Sequence, residues 1–167
     1  MSTTTTVGVE ERLFFLSASD GQVLSMSTDG ADRKILVEGQ RLPDGIVVDA
    51  PADHLYWTNM GVPDRNDGSV TRCDVDGRNV TPIVPPGGTH TPKQIVLDRP
   101  NRRLYWADRE GMRMTRCNLD GSAVEANGRK IVVTDSGALM VVGDDGQPSR
   151  IWREWHDCVE LTRAGRS

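Results

Sequence analysis

The sequence predicts an all-β protein made of repeated four-stranded antiparallel units. Three observations support this: short β-branched or aromatic segments recur in one order, Asp-Gly pairs separate them, and 17 of the 167 residues are glycine. A hydrophobic fraction of 37% and a charged fraction of 26% exclude a disordered chain, a coiled coil and a collagen-like polymer. A folded domain with many loops is therefore expected.

The repeat is clearest in two tandem copies. Residues 45–49, 55–59 and 71–77 read GIVVD, LYWTN and TRCDVDG, and they recur as QIVLD, LYWAD and TRCNLDG at residues 94–98, 104–108 and 115–121. Tyr56 and Tyr105 lie 49 residues apart, whereas Cys73 and Cys117 lie 44 apart, so the difference falls in the loop at 61–68. A period of this size indicates stacked or radial supersecondary units.

Fainter copies flank these two. Residues 12–17, 22–30 and 34–37 match the second, third and fourth segments of the unit, and residues 130–135 and 138–146 match the second and third. Each segment is short and rich in β-branched or aromatic residues, which is typical of a strand. The chain therefore contains two full units and two partial ones, which makes about three to four units in all.

Tight turns separate the strands within each unit. Asp-Gly pairs stand at 20–21, 29–30, 76–77 and 120–121, where glycine supplies the positive φ that such turns require. Residues 46–48 and 95–97 are apolar on both faces, which predicts an innermost strand buried between adjacent units. Such a gradient of burial favours a partial β-propeller of about three to four four-stranded antiparallel blades.

The two Tyr-Trp segments carry a family resemblance. Residues 55–59 and 104–108, each followed by an x-Asp-Gly turn, resemble the YWTD repeat of six-bladed β-propellers of the low-density-lipoprotein-receptor type, and residues 12–125 resemble part of a soluble microbial branch. Asn59 replaces the motif's Asp, Ala107 replaces its Thr, and residues 132–135 keep only its second half. The resemblance implies six repeats, whereas this chain contains three to four.

A partial ring leaves blade edges open, and open edges with apolar cover favour association. A second copy that completes the ring as a homodimer, a C-terminal lid and a truncated product of low stability are the alternatives. Residues 1–11 are predicted to be disordered and residues 12–146 to form the propeller. A helical tail is expected at 147–167, because apolar residues recur at helical spacing over 150–163.

Charge and cysteine content restrict location and partners. A formal net charge of −4 disfavours nucleic acid, and no apolar run approaches the roughly 20 residues that cross a bilayer. Residues 1–6 contain no secretory signal pattern, so a cytoplasmic protein without membrane contact is expected. Three cysteines without a C-x-x-C pair predict free thiols and no zinc site, and neither a metal nor a cofactor is expected.

Two loop clusters contain the candidate site residues. Asp44, His90 and Lys93 lie in loops that enter inner strands, where they are predicted to meet at one channel mouth and to serve proton transfer or anion binding. Solvated loop side chains are the alternative. Asp108 and Arg109 follow the second Tyr-Trp strand and suit a hard metal or a polar substrate. Alternatively, Asp108 holds its own turn by hydrogen bonds.

No recognised catalytic motif is present: the sequence contains no Gly-x-Ser-x-Gly elbow, phosphate loop or dinucleotide fingerprint. The first prediction is therefore a binding or interaction module that holds a small molecule or a protein at its channel face. The alternative is a cofactor-independent lyase, isomerase or cyclase of a microbial secondary-metabolite pathway, with the five candidate residues in its site. A metal-dependent lactonase is a third alternative, similar only in architecture.

Overall fold

The structure is a computed structural model that describes residues 11–62, 64–127, 130–133, 139–142 and 148–150, with side chains described as far as residue 126. Within these residues the strands form four antiparallel sheets, here called blades I to IV. The strands are, for blade I, β1 (Arg12–Ser17), β2 (Gln22–Ser27) and β3 (Lys34–Val37); for blade II, β4 (Pro43–Asp49), β5 (His54–Asn59), β6 (Gly68–Asp74) and β7 (Thr81–Thr89); for blade III, β8 (Pro92–Asp98), β9 (Arg103–Asp108), β10 (Arg113–Asn118) and β11 (Glu125–Asn127); and for blade IV, β12 (Lys130–Val133), β13 (Leu139–Val142) and β14 (Pro148–Arg150).

Each blade is a simple meander in which sequential strands pair. The two Tyr-Trp segments, on β5 and β9, lie in separate sheets, so the predicted all-β architecture of antiparallel blades is confirmed. Strand β14 pairs with β13 and extends the fourth blade to Arg150. The helix expected at 150–163 lies outside the described residues, apart from Arg150. Among the residues that are described, no helix is long and apolar enough to cross a bilayer.

The Asp-Gly pairs form the predicted turns. Gly21, Gly30, Gly77 and Gly121 have φ values of +64°, +84°, +86° and +84°. Glycine occupies this left-handed region at little steric cost. The sequence alone therefore located these four turns correctly.

Side chains of blade II pack against both neighbouring blades. Leu55, Trp57 and Cys73 pack on blade I, whereas Tyr56 and Val70 pack on blade III. Successive residues of a strand point to opposite faces of a sheet, so β5 contributes to both cores. The two tandem copies are thus neighbouring sheets packed face to face.

The predicted gradient of burial is wrong in one respect. The innermost strands are not the most buried, because Val96 on β8 is 51% exposed and Ile46 on β4 is only half-buried. Strand β5, by contrast, is buried from Leu55 to Asn59. The physical reason is that β5 has a paired strand on each side, whereas β4 and β8 are edge strands with one side open.

The two described cysteines occupy equivalent positions in neighbouring blades. Cys73 on β6 and Cys117 on β10 are buried and unpaired. Burial raises the pKa of each thiol to about 12, so neither forms a thiolate near neutral pH. Both thiols act as small apolar packing groups.

Candidate functional site

All five predicted site residues lie at one end of the blades. Strands β5 and β9 end there, and β4 and β8 begin there, since Pro43 pairs with Asn59 and Pro92 with Asp108. We call this the loop end. The opposite end, where Asp49 pairs with His54, is called the turn end. The loop end includes residues 38–42, 60–62, 64–67, 90–91 and 109–112, and the turn end includes residues 50–53, 75–80, 99–102 and 119–124.

Asp44 and Lys93 are brought into direct contact. The Lys93 Nζ lies 3.2 Å from Asp44 Oδ2, and the Gln94 amide donates to Asp44 Oδ1 at 3.3 Å. This pair joins blade II to blade III. Next to it, the Thr58 hydroxyl accepts from the Gly45 amide at 3.0 Å and donates to the Lys93 carbonyl at 2.8 Å. The contact is therefore part of a close junction between the two innermost strands.

The Asp108 carboxylate is directed into its own loops. It accepts hydrogen bonds from the Thr89 hydroxyl at 2.9 Å and from the backbone amides of His90, Thr91 and Gly111 at 3.0, 2.9 and 3.2 Å. Burial acts to raise the pKa of Asp108, but these hydrogen bonds outweigh it and hold the pKa below its usual value. Asp108 is thus an ionised tie between two loops.

His90 and Arg109 have different surroundings. His90 contributes backbone groups to the loop, since its carbonyl accepts from the Gly68 amide at 3.0 Å and its own amide binds Asp108. The exposed Arg109 side chain pairs with Glu110, at 2.7 Å between Nε and Oε1. The hydrogen bond that Arg109 donates to Glu110 raises the pKa of Arg109 further above its high usual value. Of the five predicted residues, the structure therefore joins only Asp44 and Lys93 by a side-chain contact.

Blade II closes its Tyr-Trp strand with a different network, in which Gln40 was not foreseen. The Trp57 indole donates to Gln40 Oε1 at 3.0 Å. The buried Asn59 Nδ2, with two hydrogens to donate, lies 3.2–3.3 Å from side-chain oxygens of Gln40, Ser69 and Thr71. Asn59 Oδ1 is buried without a hydrogen-bond partner in the described part of the chain. In blade III the matching indole, Trp106, donates to the Thr89 hydroxyl instead.

Apolar side chains project from the loop end. Met112, Leu42 and Val62 are 73%, 38% and 37% exposed. Charged side chains such as Arg41 and Arg109 lie on the same loops. Apolar residues are also exposed in loops of the turn end, where Val80 and Val124 are 44% and 43% exposed, so Met112 is the feature that distinguishes the loop end.

A metal centre has no support in the described residues. Between residues 11 and 126, with residue 63 excepted, no group of three or more histidine, cysteine, aspartate or glutamate side chains is placed to hold a metal ion. The carboxylates of Asp44 and Asp108 are instead engaged by cationic, amide and hydroxyl donors. The lactonase alternative therefore gains nothing from this geometry.

Comparison with known proteins identifies relatives that share part of their length with this chain. Low-density lipoprotein receptor-related protein 1 from Pyricularia oryzae is 45% identical over 114 residues, which cover 66% of this chain and 37% of that protein. A 3-hydroxyacyl-CoA dehydrogenase-like protein LAM1 from Cochliobolus heterostrophus is 41% identical over 114 residues, covering 68% of this chain and 23% of that protein. No family model matches.

The same architecture occurs in a solved structure. A chain in the crystal structure of a nidogen/laminin complex matches with a TM-score of 0.63 and 19% identity, over 79% of this chain and 51% of that chain. At this identity the likeness concerns the fold. Together with the tandem Tyr-Trp segments, the separate antiparallel blades and the receptor-related sequence relative, it leads to one assignment. The chain belongs to the YWTD-repeat β-propeller family of the low-density-lipoprotein-receptor type.

Proposed function

We propose that this chain is a binding module that holds a protein partner at its loop end. The observation that carries the proposal is the exposure of Met112, Leu42 and Val62 on loops that also carry charged residues. Apolar contact residues within a polar surround are typical of protein interfaces. Their total exposure is modest, so we expect a transient rather than a permanent complex.

Rigid support favours this function. The Asp108 carboxylate fixes the Thr89–Thr91 segment and the start of the 109–112 loop, and the Met112 amide donates to the Arg109 carbonyl at 3.2 Å. Loops already ordered before binding lose less conformational entropy on association. The Asp108 network therefore prepares the surface around Met112 for a partner.

The relatives support a binding role without identifying the partner. One sequence relative is named as receptor-related, and the structural neighbour was crystallised in a complex of nidogen with laminin. The chain spans only 37% and 23% of the two sequence relatives above.

Site-specific photocrosslinking tests the loop end as the binding surface. A benzophenone amino acid replaces Met112 in one variant, and in a matched control it replaces Val124, which is 43% exposed at the turn end. After irradiation in extract from the native host, we expect an adduct of discrete mass from position 112 only. Adducts at both positions, or at neither, would contradict the proposal.

We also propose that two copies associate through open blade edges. Unpaired sheet edges are surfaces on which strands of another chain pair or pack. Sedimentation equilibrium of the full chain measures this association directly. A mass of twice the monomer is the expected result, and a monomer across the concentration series would exclude the homodimer.

A cofactor-independent lyase, isomerase or cyclase of a secondary-metabolite pathway is the second candidate function. The contact between the Asp44 carboxylate and the Lys93 ammonium, 3.2 Å apart near the axis, favours it, because proton transfer uses such paired groups. Incubation with host metabolites in D₂O, followed by mass spectrometry, would show deuterium uptake that Lys93→Met removes. Equal uptake in both proteins would rule out this site.

We further propose a cytoplasmic location, supported by the unpaired thiols of Cys73 and Cys117. The receptor-related name of a relative favours the opposite side of the membrane. Fractionation of the native host distinguishes the two. Recovery with cytoplasmic markers is expected, and recovery from the medium or the cell surface would overturn the proposal.

A further inference from the structure

A small cleft opens at the turn end between blades II and III. Its volume is about 120 Å³. Sites for drug-sized ligands have roughly 300 Å³ or more, so this cleft suits a single chemical group. The cleft is lined by Asp49, Ala52, His54, Tyr56, Arg72, Arg102, Leu119 and Asp120.

The repeat shows what is missing from this cleft. Arg72 on β6 and Arg116 on β10 are equivalent, because each pairs across the ladder with the tyrosine of its Tyr-Trp segment. On the outer side, Arg116 pairs with Glu125, whereas Arg72 pairs with Thr81. The Glu125 carboxylate accepts from Arg116 Nη2 at 2.6 Å and from Nε at 3.0 Å. Blade II has no carboxylate at that position.

Arg72 is left without an anionic partner among the described residues. Its Nε is buried and makes no hydrogen bond there, and none of the ion pairs within the described ranges includes it. Burial raises the pKa of Tyr56, and the charge of Arg72 and a hydrogen bond that its guanidinium donates to the Tyr56 hydroxyl act against this rise. A buried donor without a partner carries an uncompensated desolvation cost, which an incoming acceptor would remove.

The acidic groups around the cleft are already engaged. Asp49 accepts from Arg99 Nε at 3.0 Å, and Asp120 accepts from the amide and hydroxyl of Ser122 at 2.9 and 2.6 Å. Arg102 is exposed at the rim. The charge of Asp120 also acts on Arg102, so Arg72 is the guanidinium of the cleft that lacks a carboxylate partner among the described residues.

We propose that this cleft binds a carboxylate group, with Arg72 as its principal donor and Arg102 as a second cation at the rim. An arginine fork matches the two oxygens of a carboxylate. A free dicarboxylate and a glutamate side chain of a partner supply the same group. The carboxylate site lies at the turn end, whereas the proposed protein-binding surface lies at the loop end. An experiment that contradicts one of these proposals therefore leaves the other unaffected.

Arginine Nε–H resonances report on this site directly. Full-length ¹⁵N-labelled protein is titrated with glutarate, and the Arg72 Nε–H signal is expected to shift saturably. A tetrapeptide containing one glutamate, titrated in a second arm, identifies the source: tighter binding of the peptide indicates a protein partner, and tighter binding of glutarate indicates a small molecule. Either result supports a carboxylate site. An Arg72 signal that does not move with either probe would overturn it.

Two substitutions that exchange the residues paired with Arg72 and Arg116 provide matched controls. Thr81 is exposed, so Thr81→Glu leaves the core unchanged and supplies blade II with the carboxylate that blade III has. We expect it to weaken glutarate binding at Arg72 at least about tenfold. Glu125→Thr should conversely make the Arg116 Nε–H signal respond to glutarate. Unchanged affinity in Thr81→Glu, or binding of inorganic phosphate as tight as that of glutarate, would contradict the proposal.

Discussion

Blades II and III begin from nearly the same sequence and end their Tyr-Trp strands in different ways. In blade II the last residue is Asn59, whose amide nitrogen lies within hydrogen-bond distance of three side-chain oxygens. In blade III it is Asp108, whose carboxylate accepts from three backbone amides and one hydroxyl. A change of one residue in the motif thus changes the strand end from a side-chain network into a backbone tie.

The two strand ends differ physically in what happens to the hydrogen-bond partners when the side chain of Asp108 or Asn59 is removed. Backbone amides at 90, 91 and 111 point at the Asp108 carboxylate and have no freedom to turn elsewhere. The hydroxyls of Ser69 and Thr71, which accept from the Asn59 amide, can rotate to find other hydrogen-bond partners. Charge-assisted hydrogen bonds are also stronger than neutral ones. The loop of blade III therefore depends on a single residue far more than the loop of blade II does.

The largest expected effect comes from removing the two strand-end side chains. Asp108→Ala leaves three backbone amides without their acceptor, and we expect it to lower the free energy of unfolding by about 3 kcal/mol. The matched Asn59→Ala should cost about 1 kcal/mol, since its partners are rotatable side chains. Urea unfolding followed by tryptophan fluorescence measures both. Equal losses would show that the two strand ends do not differ.

A second substitution tests the junction on which both blades depend. A Cβ atom at Gly45 would lie 2.8 Å from the Ile95 backbone nitrogen and 3.0 Å from the Lys93 carbonyl oxygen, and backbone atoms cannot move aside as side chains do. Gly45→Ala should destabilise by about 2 kcal/mol through overpacking. As a control, Gly30→Ala meets no atom within 4 Å but has φ +84°. It should cost about 1 kcal/mol.

If Gly45→Ala is as stable as the wild type in the same urea experiment, strands β4 and β8 are not in contact. The face-to-face packing of blades II and III would then be wrong.

The dependence of stability on pH gives a smaller effect with a defined sign. The pKa of Asp108 in the folded state is lowered from an unfolded value of about 3.9. Its contribution to stability is complete above the unfolded pKa and is lost as the pH falls through the folded pKa. Thermal unfolding between neutral and acid pH should therefore show a shallower decline for Asp108→Asn than for wild type. Parallel curves would contradict the ionised tie.

Much of the fold could be predicted because it repeats locally. Asp-Gly pairs mark turns by backbone chemistry alone, and Cys73 and Cys117 fall at equivalent buried positions of β6 and β10. The burial of the innermost strands was predicted wrongly, because residues 46–48 and 95–97 are all apolar and yet Ile46 is only half-buried and Val96 is exposed. Apolar runs report composition, whereas burial depends on which sheet faces are covered.

The site was less predictable because its contacts join distant segments. Asp108 reaches residues 89–91 of the preceding connection, and Trp57 reaches Gln40 before its own blade begins. Neither contact corresponds to a regular sequence spacing from which it could be predicted. The difference between Thr81 and Glu125 is visible in the sequence but gains meaning only once the strand register aligns them with two equivalent arginines.

Amide hydrogen exchange in the full chain tests most directly whether Asp108 is a structural tie of the loop end. In Asp108→Ala, which removes both acceptor oxygens, exchange of the His90 and Thr91 amides should accelerate by about tenfold or more, while the amides of the β9 ladder keep their protection. Unchanged exchange at His90 and Thr91 would contradict the tie, because these two amides would then have another acceptor.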